Sequence, residues 1–214
     1  KIGQSAEWET EKKGFSNFKL DSIYLGIIPF LLALYGVWSA FLVRREQEGG
    51  AILFWGVAGF IGLLLAFGKY SPLYKLFYQL PMVSNIRAPI KLLDNVEICL
   101  AILAAYGLDR LLAVGPSSKS SRALWIGSAT FGGLMLVAGI KALALPASIT
   151  VGLSPMGLDR FSEIIIQNVS NAWFHAAVLA LVCGALAFLI WKGKQLKWVV
   201  PVFIVVLVVD SLML

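Results

Sequence analysis

Long apolar runs separated by short polar segments dominate this sequence. About 20 apolar residues are needed for a helix to cross the hydrocarbon core of a bilayer. The runs do not alternate with a period of two, which argues against the strands of a transmembrane barrel. The sequence therefore predicts an all-α fold, a polytopic transmembrane helix bundle of about six spans. The predicted spans are residues 22–43, 51–67, 89–114, 123–145, 172–191 and 198–214.

Composition supports the membrane assignment. Of the 214 residues, 59% are hydrophobic and 14% are charged, whereas soluble domains average about 45–50% and about 25%. Because a core of this size cannot bury so many apolar side chains, many of them must face lipid. The net charge of +6 arises from basic residues in short segments between the runs. It therefore indicates contact with membrane lipids and a defined topology, and no nucleic-acid partner is predicted.

The distribution of basic residues predicts the orientation of the bundle. Short segments rich in Arg and Lys favour the cytoplasmic side of a membrane. Three such segments lie at residues 44–45, 110–122 and 192–197. The longer segments, residues 1–21, 68–88 and 146–171, are then expected to face outward.

Two further expectations concern the organisation of the chain. Residues 1–21 form an outer segment and residues 22–214 form the bundle, which we expect to be a fragment of a longer protein because it starts at Lys1 and ends in an apolar run. Ser154 and Pro155 are suited to begin a helix, and apolar residues then recur on one face. This pattern predicts an interfacial helix on the outer leaflet. The alternative is a helix that packs on the bundle as a cap.

The segment before the third run carries a pattern suited to an anion. Pro89 fits the first position of a helix, so Arg87 lies beside a helix N-terminus, where free N–H groups attract anions. The guanidinium of Arg87 binds phosphate as a planar fork, and Lys91 adds a second cation. These residues predict a lipid-phosphate site at the outer boundary of the membrane. Alternatively, both side chains extend to ordinary headgroups, or Lys91 pairs with Asp94 or Asn95.

The remaining polar residues in the runs indicate no metal, cofactor or redox site. Asp94 and Glu97 are one turn apart and could hold a metal or act as a base, but pairing with Lys91 is the simpler interpretation. Asp210 is interpreted in the same way. His175 has no zinc-type partner, and nucleotide-binding motifs are missing from the sequence. The two cysteines, Cys99 and Cys183, are predicted to be small buried apolar residues.

Five short motifs occur in order in the first half of the chain. They are YLGIIPFLLAL at residues 24–34, LAFGKYSPLY at 65–74, LP at 80–81, RAP at 87–89 and LAAYGLD at 103–109. In order and spacing they resemble the YfhO-type bacterial membrane proteins, which are similar to C-type glycosyltransferases. The resemblance covers residues 22–112. Beyond it, only the span pattern and the Val-Val-Asp sequence at 208–210 fit.

The resemblance implies a function in lipid-linked sugar transfer. C-type glycosyltransferases are polytopic enzymes that move a sugar from a polyprenyl-phosphate carrier to an acceptor outside the cytoplasm. A chain of this type would be the later transmembrane part of such a protein in the bacterial inner membrane. Its partner would be a polyprenyl-phosphate sugar donor, used for cell-envelope glycosylation. Lys69 and Tyr70, within the second motif, would then join Arg87 and Lys91 in binding the lipid phosphate.

The resemblance assigns no catalytic residue. C-type glycosyltransferases usually carry their catalytic acids in the first outer loop, and no such loop is recognisable in this sequence. Whether the chain belongs to an enzyme is therefore an open question. The alternatives are a non-catalytic membrane subunit or scaffold of a larger complex, with other membrane subunits as partners, and a lipid or polysaccharide transporter.

Overall fold

The computed structural model describes residues 26–42, 47–80, 89–113, 117–145, 162–193 and 196–212. In these residues all regular structure is helical, which confirms the predicted all-α class. Two short 3₁₀ helices, Gly68–Tyr70 and Pro89–Leu92, flank the third α-helix. The α-helices are α1 (Ile27–Leu42), α2 (Gln47–Ala66), α3 (Pro72–Phe77), α4 (Leu93–Ala113), α5 (Lys119–Ala144), α6 (Ser162–Trp191) and α7 (Leu196–Leu212).

The six longer helices fall on the six predicted apolar runs. Of these, α2, α5 and α6 are long and apolar enough to cross a membrane. The apolar parts of α1 and α7 are shorter than 18 residues, and α4 contains four charged residues. Three candidate spans thus support a membrane protein, and the full count of six spans stays a prediction.

Large apolar side chains are exposed along the outer faces of the helices. Phe54, Phe60 and Leu134 are each 61–63% exposed. Soluble monomers rarely expose apolar patches of more than a few hundred square ångströms. The same surface suits lipid, which solvates apolar side chains without cost. These faces therefore support the membrane assignment.

The helices α5 and α6 form the most extensive pairing, and small residues bring them close. A Cβ on Gly132 would lie 2.9 Å from the side chain of Leu181, and a Cβ on Gly139 would lie 3.0 Å from the ring of Phe174. A Cβ on Gly184 would lie 3.3 Å from the carbonyl oxygen of Trp125. In lipid there is no hydrophobic driving force for helices to associate, because lipid tails are as apolar as the helix surfaces. Close packing of this kind therefore stabilises the pair.

A second close crossing joins α1 and α4. A Cβ on Gly107 would overlap the carbonyl oxygen of Leu32, and a Cβ on Gly36 would lie 2.8 Å from the carbonyl oxygen of Leu103. Both contacts are with backbone atoms, which cannot move aside as a side chain can. Glycine at both positions is therefore required for the two helices to approach this closely.

The predicted interfacial helix is only partly within the described residues. Its beginning, around Ser154, lies outside them, as does the predicted outer segment 1–21. The predicted apolar face was expected to continue through Ile165 and Val169, and these residues lie in the first turns of α6. No proline or glycine interrupts the chain from Ser162 to Cys183, so the helix continues. A separate interfacial helix is therefore not confirmed.

Candidate functional site

The backbone brings three of the four predicted phosphate-binding residues to one end of α2. The 3₁₀ helix that follows α2 carries Lys69 and Tyr70. The second 3₁₀ helix carries Lys91 and packs against α2. A Cβ on Gly62, one turn before the end of α2, would lie 3.9 Å from the carbonyl oxygen of Leu92. We call this part of the molecule the Lys91 end.

The side chains at the Lys91 end are open to their surroundings where they are described. Tyr70 is 80% exposed, and Lys91 is exposed. Arg87 and the side chain of Lys69 lie outside the described residues. The predicted helix start at Pro89 takes the form of a 3₁₀ turn, and the α-helix itself begins four residues later. A site centred on Arg87 therefore stays a prediction.

An apolar groove runs along α1 and α2, with α4 as its floor. Its volume is about 570 Å³. Gly56 and Gly59 line the groove on α2 and, because they have no side chain, leave space between larger apolar residues. On α2 the lining extends over residues 53–63, which corresponds to about 15 Å at 1.5 Å per residue. The groove is lined by Phe30, Ala33, Leu34, Val37, Trp38, Phe41, Leu53, Gly56, Val57, Gly59, Phe60, Leu63, Leu100 and Leu103.

One end of the groove lies near the Lys91 end. Its last lining residue on α2, Leu63, lies six residues before Lys69. The helix ends three residues after Leu63, and the polypeptide then turns at Gly68, which has a φ of +54°. An elongated apolar ligand in this groove would therefore have one end near the 3₁₀ helix that follows α2.

A second cavity, of about 410 Å³, lies between α1 and α5. The hydroxyl of Tyr35, which lines it, is 2.7 Å from the hydroxyl oxygen of Ser120. It is otherwise largely apolar, with lining residues Leu31, Leu34, Tyr35, Trp38, Ala123, Leu124, Gly127, Ser128 and Phe131.

Several serines form hydrogen bonds at the start of α5, both within the helix and to neighbouring helices. The sequence analysis did not predict these contacts. The side chain of Ser118 caps α5, the N–H of Ser117 donates to the carbonyl oxygen of Trp191 at 2.8 Å, and Ser120 bonds to Tyr35. Serine before a helix is a recognised capping signal. The cap could thus have been found from the sequence, whereas the partners on α1 and α6 could not.

Asp210 is fully buried and caps α1, although it lies 182 positions later in the sequence. One of its carboxylate oxygens, Oδ2, accepts a hydrogen bond of 2.8 Å from the N–H of Ile28 in the first turn of α1. Gly26, directly before the helix, has a φ of +81°, and a Cβ there would lie 3.0 Å from the same oxygen. Sequence reasoning expected an ionic partner or a polar cleft. The hydrogen bond observed here is to a helix N-terminus, which favours a negative charge.

The other residues singled out in the sequence form no metal site in the described part of the chain. No group of three potential metal ligands occurs there. Asp94 is exposed and Glu97 is partly buried at the start of α4. Cys99 and Cys183 are buried free thiols within helices, which confirms their interpretation as small core residues.

Comparison with protein-family models, with curated proteins and with solved structures found no match to this chain. The groove, the cavity and the residues around them are therefore the basis for assigning a function.

Proposed function

We propose that this chain is the membrane-embedded part of a lipid-linked sugar transferase of the bacterial inner membrane. In this proposal the Lys91 end binds the phosphate of a polyprenyl-phosphate sugar donor, and the groove along α1 and α2 holds the beginning of its isoprenoid chain. The observation that supports the proposal is the position of the groove, whose lining on α2 ends at Leu63, near the two 3₁₀ helices that carry Lys69, Tyr70 and Lys91.

The groove and the cations would have different parts in binding. Moving an isoprenoid chain from lipid into an apolar groove gains little, because lipid tails are as apolar as the groove. Charge-assisted hydrogen bonds contribute about 1.5–3 kcal/mol each. The affinity for the donor would therefore come mainly from Arg87, Lys91 and Lys69. The groove would set the direction of the chain and the position of the phosphate.

The same cations would support the transfer step. In that step the acceptor oxygen bonds to the anomeric carbon of the sugar, and the bond from that carbon to the phosphate oxygen breaks. Negative charge then develops on the departing polyprenyl phosphate. Cations positioned at this phosphate stabilise the transition state more than the ground state, which is the condition for catalysis. The base that accepts the proton of the acceptor is not assigned to this chain.

The first test measures binding of a polyprenyl phosphate to purified wild-type and variant proteins, with a melting curve for each. Loss of the Arg87 fork in Arg87→Ala should weaken binding by about ten- to a hundredfold. Arg87→Lys should recover only part of this loss, because lysine lacks the planar fork. Lys141→Gln, which neutralises a cation in the last turn of α5, is the control. Equal affinity in wild type and Arg87→Ala, at the same folded fraction, would remove Arg87 from the site.

A second test concerns the groove. Gly56 lines it, and a Cβ there would make only an ordinary contact of 3.4 Å with Val37. Gly56→Leu should therefore fill the groove without disrupting the fold, and it should weaken binding of the polyprenyl phosphate. Gly50→Leu is the matched control on the same helix, because a Cβ on Gly50 would have no neighbour within 4 Å and Gly50 does not line the groove. Equal weakening by both variants would contradict the proposed position of the isoprenoid chain.

A further inference from the structure

We propose that the opposite end of the bundle holds a specific site for an anionic phospholipid, with its phosphate at Lys119, Arg122 and Lys192 and one acyl chain in the cavity between α1 and α5. We call these three cations the basic rim. This site is separate from the donor site under "Proposed function". It uses a different cavity, different cations and a different lipid.

The fold brings the basic rim together. The hydrogen bond of 2.8 Å from Ser117 to the carbonyl oxygen of Trp191 joins the residues before α5 to the last residue of α6. Lys119 and Lys192 follow these two residues closely in sequence, and Arg122 is one turn further along α5. All three side chains are exposed.

The charge around the basic rim favours an anion. Residues 117–122 and 188–198 contain no acidic residue. On the neighbouring α4, Asp109 is followed directly by Arg110, so the end of that helix adds no net negative charge. A cation close to a membrane surface contributes about fivefold to the binding of an anionic lipid. The rim therefore distinguishes an anionic headgroup from a zwitterionic one.

Aromatic residues place the rim at the level of lipid headgroups. The rings of Trp125, Phe188 and Trp191 pack together with centroid distances of 5.4–6.2 Å. The ammonium of Lys192 lies 5.3 Å from the centroid of Phe188, and Trp198, at the start of α7, is 74% exposed. Tryptophan is enriched at the boundary between the hydrocarbon core and water. The cations above this aromatic cluster therefore face phosphate groups of the bilayer.

The cavity between α1 and α5 begins beside the rim. Ala123, its first lining residue on α5, lies four residues after Lys119 and hence on the same side of the helix. From there the cavity extends along α5 to Phe131. Its volume of about 410 Å³ is in the range of ligand pockets. A phospholipid with its phosphate at Lys119 would thus have an apolar cavity directly below for an acyl chain.

The test measures binding of phosphatidylglycerol and phosphatidylcholine to the purified protein by native mass spectrometry, with a melting curve for each variant. Phosphatidylglycerol should bind more tightly than phosphatidylcholine. Lys119→Gln should weaken phosphatidylglycerol binding about fivefold, and the basic-rim triple variant should weaken it further. Lys141→Gln, at the other end of the same helix, is the control and should bind as the wild type does.

The cavity has its own pair of variants. Gly127 lines the cavity, and a Cβ there would have no neighbour within 4 Å. Gly127→Leu should therefore fold normally, occupy the cavity and weaken phosphatidylglycerol binding. Gly133→Leu is the matched control, because Gly133 is equally open but lies away from the cavity.

Four results would each overturn the proposal. The first is equal affinity for the two phospholipids, and the second is equal loss of binding in Lys119→Gln and Lys141→Gln. The third is wild-type binding by Gly127→Leu, since the acyl chain would then lie elsewhere. Displacement of the lipid by inorganic phosphate at matched concentration would also count against it, because the acyl chain would then contribute nothing. The donor-site variants Arg87→Ala and Gly56→Leu are expected to change polyprenyl-phosphate binding but not phosphatidylglycerol binding. The two proposals can therefore fail independently.

Discussion

Replacing Gly107 by alanine should force α1 and α4 apart and destabilise the bundle. The added Cβ would overlap the carbonyl oxygen of Leu32 and lie 2.8 Å from its carbonyl carbon. Carbon atoms pack at about 3.5–4.0 Å, so the two backbones must separate by about 0.7 Å or more. Overpacking costs about 1–3 kcal/mol, and alanine returns about 0.8–1.0 kcal/mol of helix propensity relative to glycine. The expected net loss in the free energy of unfolding is therefore up to about 2 kcal/mol.

The assay is equilibrium unfolding of the purified protein in mixed micelles, with increasing denaturing detergent and tryptophan fluorescence as the signal. Gly133→Ala is the control, because its Cβ would meet open space and only the gain in helix propensity remains. Gly36→Ala tests the same crossing from the other helix. Because one separation of the helices relieves both clashes, the double variant should lose less stability than the two single losses combined. A Gly107→Ala protein that gains as much stability as Gly133→Ala would refute the close approach of α1 and α4.

Two further predictions concern buried polar contacts. Asp210→Ala should lower the free energy of unfolding by about 1–3 kcal/mol, because it leaves the buried N–H of Ile28 without its acceptor. Asp210→Asn, which keeps a carbonyl oxygen of similar shape, should recover part of that loss, and equal losses in both variants would contradict the capping role. Tyr35→Phe and Ser120→Ala should each cost about 0.5–1.5 kcal/mol. In a double-mutant cycle these two losses should not add, and full additivity would show that the two hydroxyls are not hydrogen-bonded.

The helices were predictable to the extent that apolar length determines them. All six predicted runs coincide with helices, because a backbone in an apolar environment must satisfy its hydrogen bonds internally. The boundaries were less predictable. The fifth run was expected at 172–191, yet α6 begins at Ser162, because polar residues such as Glu163 and Gln167 do not end a helix. A hydropathy pattern marks the apolar part of a helix and not its first turn.

The candidate site was predictable as a set of residues but not as a shape. The alternation of helix directions was sufficient to expect Lys69, Tyr70 and Lys91 at one end of the bundle. The groove depends on which helices cross and how closely, and this is determined by small residues such as Gly56 and Gly107. Glycine is common in membrane helices, so its presence alone does not identify the partner helix. Only the assembled structure relates each glycine to the backbone opposite it.

The hydrogen bond between Asp210 and Ile28 also has a consequence for assembly in the membrane. The two residues are 182 positions apart in the chain, so α1 is synthesised long before its cap exists. A backbone N–H without a partner in an apolar environment costs several kcal/mol, so the N–H of Ile28 needs another acceptor, such as water, until α7 has been synthesised. The contact between α1 and α7 can therefore form only after residue 210 has been synthesised. A ribosome stalled before residue 210 would leave it open.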